Sequence, residues 1–255
     1  MISRSELVVS EERNMAKPTR VKIGYVSPNL SDSPYLNMFK TIVPENVQLD
    51  TAGLELAGKS LFDLRGKKDV ILRTAVDLAR SHHWQGFMVS GAPVELLNPE
   101  LLPELRSSLN IPVAMALPAS IAALRTFSAK RVLLMTPFDE PMNKLIREYL
   151  AHAGIEVVSP PEALRHYTVA LELKPDKIYE LTRNALEANK NVDAIYFQGA
   201  ILNPLEVLDR MESEFNITIV ASNPAMLWWL LSRLGLTYHI EGYGKLLAQW
   251  PGEAL

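Results

Sequence analysis

The chain has 255 residues, enough for one large α/β domain or two smaller ones. Its hydrophobic content of 48% and charged content of 22% are those of an ordinary globular protein. The formal net charge of −3 provides no basic surface field for nucleic acid or for an anionic membrane. The absence of cysteine excludes disulfides, thiolate metal sites and thiol nucleophiles.

The N-terminal residues 1–20 are polar and mixed in charge, and they lack the apolar core of a secretory signal. No apolar run approaches the ~20 residues that a membrane span needs. We therefore expect a mobile tail over residues 1–20 and a cytoplasmic protein.

Short apolar runs alternate with stretches of helical spacing along the rest of the chain. In the first half this pattern predicts strands over 21–26, 48–56, 86–90 and 112–116 and helices over 35–43, 67–82, 99–109 and 118–127. In the second half it predicts strands over 131–135, 155–158, 194–197 and 218–221 and helices over 140–153, 175–189, 204–215 and 222–234. Asn223 as the N-cap and Pro224 at the first helical position mark the start of the last helix.

Each half thus contains four strands that alternate with four helices, which is typical of a parallel sheet covered on both faces. We predict an α/β fold of two pseudo-symmetric halves, residues 21–128 (with part of the C-terminal segment) and residues 129–255. The chain crosses between them near Phe127–Arg131. In open α/β sheets, ligands bind beyond the carboxyl ends of the strands. The functional site is therefore expected in the cleft between the halves.

A glycine follows the third strand of each half, Gly91 in the first and Gly199 in the second. Glycine at such a position makes a tight turn, and it also lets a ligand approach the backbone closely. The amides of Gly91, Gly199 and Ala200 could then hold a carboxylate or an enediolate, as an oxyanion hole does. The helix starts at Leu117-Pro118 and Ser222-Asn223 would add favourable partial charge.

Several groups of residues at these loops follow one another in a distinctive order. They are Pro28-Asn29, Ser90-Gly91, Thr136 with Asn143, Gly199-Ala200, Ser222-Asn223-Pro224-Ala225 with Trp228, and Gly242-Tyr243-Gly244-Lys245-Leu246. Together they resemble the aspartate/glutamate racemase superfamily, and within it arylmalonate decarboxylase and maleate cis-trans isomerase. The resemblance extends from about Val21 to Leu247.

The resemblance implies that loop amides and hydroxyls hold a substrate carboxylate, without a cofactor, while a carbanion or enolate forms or a thiolate adds to a double bond. In the family, one cysteine of each half serves on opposite faces of the substrate, and the decarboxylase has glycine at the first position. Here Gly91 and Gly199 fall at both positions, and Phe138 falls where the decarboxylase has an aromatic hydroxyl. The implied substrate-binding residues are Pro28, Asn29, Ser90, Gly91, Ala92, Phe138, Asn143, Gly199, Ala200, Ser222 and Asn223.

Glycine carries no ionisable group, so two-base racemisation and thiolate addition to maleate are excluded. Glu95, Gln198 and His166 are weak candidates for another acid or base. Each has a structural alternative: a surface charge for Glu95, which we favour, a strand-end polar group for Gln198 and a structural role for His166. Asn143 likewise either contacts the ligand or is an ordinary exposed helix residue. No metal-ligand spacing, P-loop or GxGxxG motif is present, so no metal is expected.

Three functions remain open for a protein with these features. The first is a decarboxylase-like or maleate isomerase-like protein without cysteine that acts on or binds a small carboxylic acid. If active, it would be a cofactor-independent decarboxylase or isomerase. The second is an inactive binding or regulatory homologue, and the third is a lyase with a non-cysteine acid or base. We expect a small carboxylic acid as ligand, no nucleic-acid or membrane partner, and a monomer or a homodimer.

Overall fold

The computed structural model describes residues 20–28, 34–56, 58, 60–160 and 167–253. The strands are β1 (Val21–Ser27), β2 (Val47–Gly53), β3 (Gly86–Val89), β4 (Val113–Met115), β5 (Arg131–Met135), β6 (Glu156–Val158), β7 (Ala194–Phe197) and β8 (Thr218–Ala221). The α-helices are α1 (Pro34–Lys40), α2 (Lys68–Ser81), α3 (Ala92–Leu96), α4 (Leu101–Ser108), α5 (Ala116–Thr126), α6 (Glu140–His152), α7 (Tyr167–Ala170), α8 (Pro175–Ala188), α9 (Leu205–Phe215), α10 (Ser222–Arg233) and α11 (Lys245–Gln249). Two of the predicted site residues, Asn29 and His166, lie outside the described residues, as does the predicted tail apart from Arg20.

The strands form two four-stranded sheets with the same topology. The order is β2-β1-β3-β4 in the first sheet and β6-β5-β7-β8 in the second, and every pair is parallel. Both β3 and β7 are buried along their whole length, as expected for central strands covered by helices on both faces. The predicted α/β fold with two four-stranded parallel sheets is therefore confirmed.

Several predicted boundaries are wrong at the ends of the strands. A short helix, α3, begins directly after Gly91, where a loop was expected, and α11 follows Gly244. The helix α10 begins at Ser222 with Ala221 as its N-cap, so Asn223 is not the cap. Likewise α5 begins at Ala116, two residues before the predicted start. The reason is that β4 and β8 pass into their helices without an intervening loop, so the N-cap position falls on the last strand residue instead of on a polar loop residue.

The two helices that follow β4 and β8 pack against each other and join the halves. They occupy equivalent places in the two sheets, and most of their residues are buried. A hydrogen bond also crosses between the halves, since Tyr25 Oη in β1 donates to Asn223 Oδ1 in α10 over 3.2 Å. Among the described residues, no helix combines the length and apolar character that crossing a bilayer would require.

Candidate functional site

The two strand-end glycines lie at equivalent places of the two sheets. Just before each glycine, the backbone makes the same hydrogen bond to the neighbouring strand. Ser90 donates its N–H to the carbonyl of Val26 over 2.9 Å, and Gln198 donates its N–H to the carbonyl of Met135 over 2.9 Å. Gly91 and Gly199 therefore stand at matching carboxyl ends of β3 and β7, where ligands of α/β proteins bind.

Both glycines have a backbone conformation that other residues rarely adopt, but their surroundings differ. The φ angle is +96° at Gly91 and +109° at Gly199. A Cβ atom at position 91 would lie 3.7 Å from Pro28 Cγ, an ordinary contact distance. A Cβ atom at position 199 would lie 2.8 Å from Pro137 Cδ and 3.1 Å from Phe138 Cζ. The second position is thus closed to any side chain unless its neighbours move.

The other predicted binding residues that the structure describes lie at the same strand ends and are largely buried. Those with little exposed surface are Pro28, Ser90, Ala92, Phe138, Asn143, Ser222 and Asn223, and Ala200 is half-buried. The structure brings them together at the ends of β1, β3, β5, β7 and β8. Their role in binding stays a prediction.

The turn after β5 is held by a buried asparagine. Asn143 in α6 donates its side-chain N–H to the carbonyl of Phe138 over 2.9 Å and accepts a hydrogen bond from the Thr136 hydroxyl. The alternative that Asn143 is an exposed helix residue is therefore wrong, since only 8% of its surface is accessible. Its amide orients Phe138, which in turn closes the space at Gly199.

We expect Asn143→Ala to lower the free energy of unfolding by about 1 to 3 kcal/mol, because it leaves the Phe138 carbonyl without its partner in a buried turn. Urea denaturation measures this loss. Lys144→Ala, an exposed change on the next residue of α6, is the control and should stay within about 0.5 kcal/mol of the wild type. Equal stabilities of the two variants would contradict the proposed role of Asn143.

Gln198, the residue before Gly199, is completely buried. Its Oε1 atom accepts a hydrogen bond from the Tyr196 hydroxyl, two residues earlier on the same face of β7. Its Nε2 atom has no hydrogen-bond partner among the described residues. A buried donor without a partner costs about 1 to 3 kcal/mol. The amide is thus oriented by Tyr196 and still has a donor to offer.

Glu95 is buried, so its expected role as a surface charge is wrong. Only 6% of its surface is accessible, and it lies in α3, one turn after Gly91. Its Oε2 atom accepts the N–H of Leu117 at the start of α5 over 3.1 Å. Its Oε1 atom accepts the hydroxyl of Tyr149 in α6 over 3.1 Å. The carboxyl therefore joins three helices across the boundary between the halves.

Burial raises the pKa of the Glu95 carboxyl to about 7, and the bonds from Leu117 and Tyr149 and the charge of Arg106 lower it only in part. Burial and the neighbouring Glu95 also raise the pKa of the Tyr149 hydroxyl well above its usual value. No pattern in the sequence indicates this cluster, because the segment of α3 was expected to be a loop.

The starts of α5 and α10 differ in whether their backbone amides are available to bind an external anion. At α5 the amide of Leu117 is already engaged by Glu95. At α10 no side chain caps the first turn, and the Asn223 side chain accepts a bond from Tyr25 instead. Helix starts favour negative charge, so the site is electrostatically asymmetric, with the freer helix start in the second half.

No group of three or more His, Asp or Glu residues in the described ranges could hold a metal ion.

Taken together, the two four-stranded parallel sheets and their matching strand ends define a two-halved α/β protein. A sequence model described as arylmalonate decarboxylase matches residues 90–247. The chain belongs to the arylmalonate decarboxylase family.

Individual relatives agree with this assignment. A maleate isomerase from Geobacillus stearothermophilus is 23% identical over 147 residues, which cover 54% of this chain and 55% of that protein. The arylmalonate decarboxylase from Bordetella bronchiseptica is 24% identical over 189 residues, 70% of this chain and 78% of that protein. The chain thus matches little more than half the length of the first of these relatives.

Solved structures establish the fold independently. The maleate isomerase from Pseudomonas putida S16, crystallised with maleate as a cysteine-to-alanine variant, superimposes with a TM-score of 0.75. The sequences are 19% identical, and the match covers 89% of this chain and 97% of that one. The absence of cysteine from the present chain sets it apart in the residues at the strand ends.

Proposed function

We propose that this protein binds a small carboxylic acid in the cleft between its two sheets and holds its carboxylate or enediolate with the backbone amides of Gly91, Gly199 and Ala200. The observation that carries this proposal is the pair of positive φ angles, +96° and +109°, at equivalent strand ends. Neither residue has a side chain to cover its peptide groups. At Gly199, Pro137 and Phe138 occupy the side on which a Cβ would lie, so a ligand would approach the amides from another side. Preorganised amides of this kind stabilise negative charge that develops on a substrate.

Two further features support an anion in the second half of the cleft. The Nε2 atom of Gln198 is a buried donor without a protein partner among the described residues, next to Gly199. The start of α10, at Ser222, carries no side-chain cap. A relative with the same fold was crystallised with maleate, a small dicarboxylate.

Within this proposal, catalysis would proceed without a cofactor by breaking the bond between the α-carbon and one carboxylate of a malonate-like acid. That carboxylate would leave as CO2. The charge left on carbon would be delocalised into an enediolate that the amides hold, and a water molecule would then protonate the α-carbon. Neither glycine can deliver the proton that completes such a reaction. Both oxygens of Glu95 are engaged by Leu117 and Tyr149, which supports a role in joining the halves rather than in proton transfer.

The second candidate is a binding or regulatory homologue without turnover. One observation favours it specifically: a side chain at position 199 would lie 2.8 Å from Pro137. The packing around the second strand end therefore leaves no room for a side chain that could carry a proton. A protein that only binds its ligand tolerates this closure, because binding requires the amides but no proton carrier.

A ligand panel tests the proposal. Phenylmalonate and maleate, each at about one hundred times its Kd, are expected to stabilise the protein by about 2.7 kcal/mol. For a chain of this length that corresponds to a rise in Tm of about 5 to 10 °C. The uncharged diamide of each acid is the control and should give no shift. Product formation is followed by NMR in the same samples.

The outcomes separate the candidates. A thermal shift with consumption of the acid supports an enzyme, and a shift without consumption supports the binding homologue. Equal shifts from the acids and their diamides would contradict recognition of the carboxylate. No shift from any acid would overturn the proposal as a whole.

A further inference from the structure

A groove rich in arginine lies on the outer surface where the two halves meet. Its cavity has a volume of about 660 Å³ and is lined by α5, α6, α10 and the C-terminal segment, together with Arg106 of α4. A neighbouring depression of about 480 Å³ shares Arg106, Trp229 and Arg233 with it. We refer to the surface around these three residues as the arginine groove.

The arginines of the groove lie in the last turns of α4, α5 and α10, away from the strand ends that carry the glycines. Arg125 and Arg233 lie in the last turns of α5 and α10. These helices begin at the carboxyl ends of β4 and β8 and run back along the sheets, so their last turns reach the opposite edge. The depression also includes Pro112 and Val113, at the start of β4. At its inner end the groove reaches Pro118 in the first turn of α5 and Tyr149, whose hydroxyl donates to Glu95.

Of the three arginines that line the groove, only Arg233 forms an ion pair among the described residues, with Glu253. In the part of the chain that the structure describes, no carboxylate lies within ion-pair distance of Arg106 or Arg125. Arg125 donates only to the carbonyl of Ala153, over 3.0 Å. This local excess of positive charge stands out on a chain whose net charge is −3.

An aromatic ring organises the arginines. The guanidinium of Arg106 lies 5.7 Å from the centroid of the Trp229 ring, and that of Arg233 lies 5.0 Å from it. Stacking on an indole orients a guanidinium and leaves its N–H groups free to form paired bonds with a planar anion. Trp229 thus orients two guanidinium groups, those of Arg106 and Arg233.

The groove already holds one carboxylate of the chain itself. Glu253 pairs with Arg233 and accepts the indole N–H of Trp229 over 3.3 Å. Arg106, on the same ring, has no such partner within the described residues. One arginine on the Trp229 ring, Arg233, therefore already holds a carboxylate, and the other, Arg106, is available to hold one.

We propose that the arginine groove is a second binding site, for a small organic polycarboxylate held between Arg106 and Arg233 against Trp229. The ligand either displaces the Glu253 carboxylate from Arg233 or binds beside it. A planar carboxylate is the group that matches an arginine fork, and two carboxylates are needed to span both arginines. The site does not depend on what the cleft binds.

Calorimetric titration with citrate at constant ionic strength tests this site, because exposed charges are screened beyond about 10 Å at 0.1 M salt. Arg106→Ala is expected to weaken citrate binding by about tenfold or more, and Arg106→Lys by less, since it keeps the charge but loses the fork. Arg73→Ala removes the same charge from an exposed position on α2 and is the matched control, with less than about a twofold effect. Glu253→Gln is expected to tighten binding about threefold, because it removes the internal competitor.

Equal citrate affinities of Arg106→Ala and Arg73→Ala would overturn the proposal, as would a failure of the wild type to bind citrate. Inorganic phosphate that binds as tightly as citrate would show a general anion patch and overturn the polycarboxylate assignment. The thermal shift with phenylmalonate should persist in Arg106→Ala. Loss of that shift together with citrate binding would show that the two sites are not separate.

Discussion

Glu95→Gln is expected to remove a pH dependence of about 3 kcal/mol from the free energy of unfolding between pH 4.5 and about pH 7. Burial raises the pKa of this carboxyl from 4.5 to about 7, so the folded protein keeps a proton that the unfolded chain releases in this interval. Each unit of pKa difference corresponds to about 1.4 kcal/mol. The stabilising contribution is complete below pH 4.5 and is lost as the pH rises through about 7.

Urea denaturation of the wild type and Glu95→Gln at several pH values measures this effect. The difference between the two curves isolates Glu95, because Glu212, His239 and the other groups with shifted pKa values are present in both proteins. Glu206→Gln, an exposed change on α9, is the control and should keep the wild-type pH dependence. Parallel curves for the wild type and Glu95→Gln would show that the pKa of Glu95 is the same in the folded and unfolded protein, which would contradict the prediction.

Gly199→Ala is expected to destabilise the protein more than Gly91→Ala does. Its φ of +109° costs about 1 to 3 kcal/mol for a residue with a side chain. The contact of 2.8 Å with Pro137 adds about 1 to 3 kcal/mol, since a proline ring is tied to the backbone and cannot move aside alone. Gly91→Ala should carry only the conformational cost, because its nearest neighbour lies 3.7 Å away.

The matched control is Gly235→Ala, where φ is +75° and nothing lies within 4 Å of the added Cβ atom. Chemical denaturation of the three variants is expected to rank Gly199→Ala well below the other two, which should be similar. If Gly199→Ala is as stable as Gly91→Ala, the second strand end has room for a side chain. Because cysteine has a Cβ atom at the same place as alanine, the result also decides whether a thiol could be introduced at each position.

Gly199 and Glu95 belong to different halves of the protein. Gly199 lies just after β7, whereas Glu95 lies in α3 and connects the start of α5 to Tyr149 of α6. If Glu95→Gln changes the response to phenylmalonate as well as the pH profile, the start of α5 takes part in binding. If only the pH profile changes, the role of Glu95 is confined to joining the halves.

The sequence by itself determined the architecture and the place of the two glycines. Buried parallel strands are continuous apolar runs, and their alternation with amphipathic helices is a local pattern that a single chain displays. The same alternation of strands and helices in both halves therefore predicted two similar sheets, with Gly91 and Gly199 at matching strand ends. The lack of cysteine was equally plain, and it excluded the thiol chemistry of the resembled family.

Only the tertiary structure decided how the residues around those glycines are used. Glu95 and Asn143 look like surface residues in the sequence, because a polar side chain becomes buried only when another element supplies its partner. For Glu95 those partners, Leu117 and Tyr149, come from two other helices. The closure of position 199 likewise depends on Pro137, which lies far from it in the chain and reaches it because β5 and β7 are neighbours in one sheet.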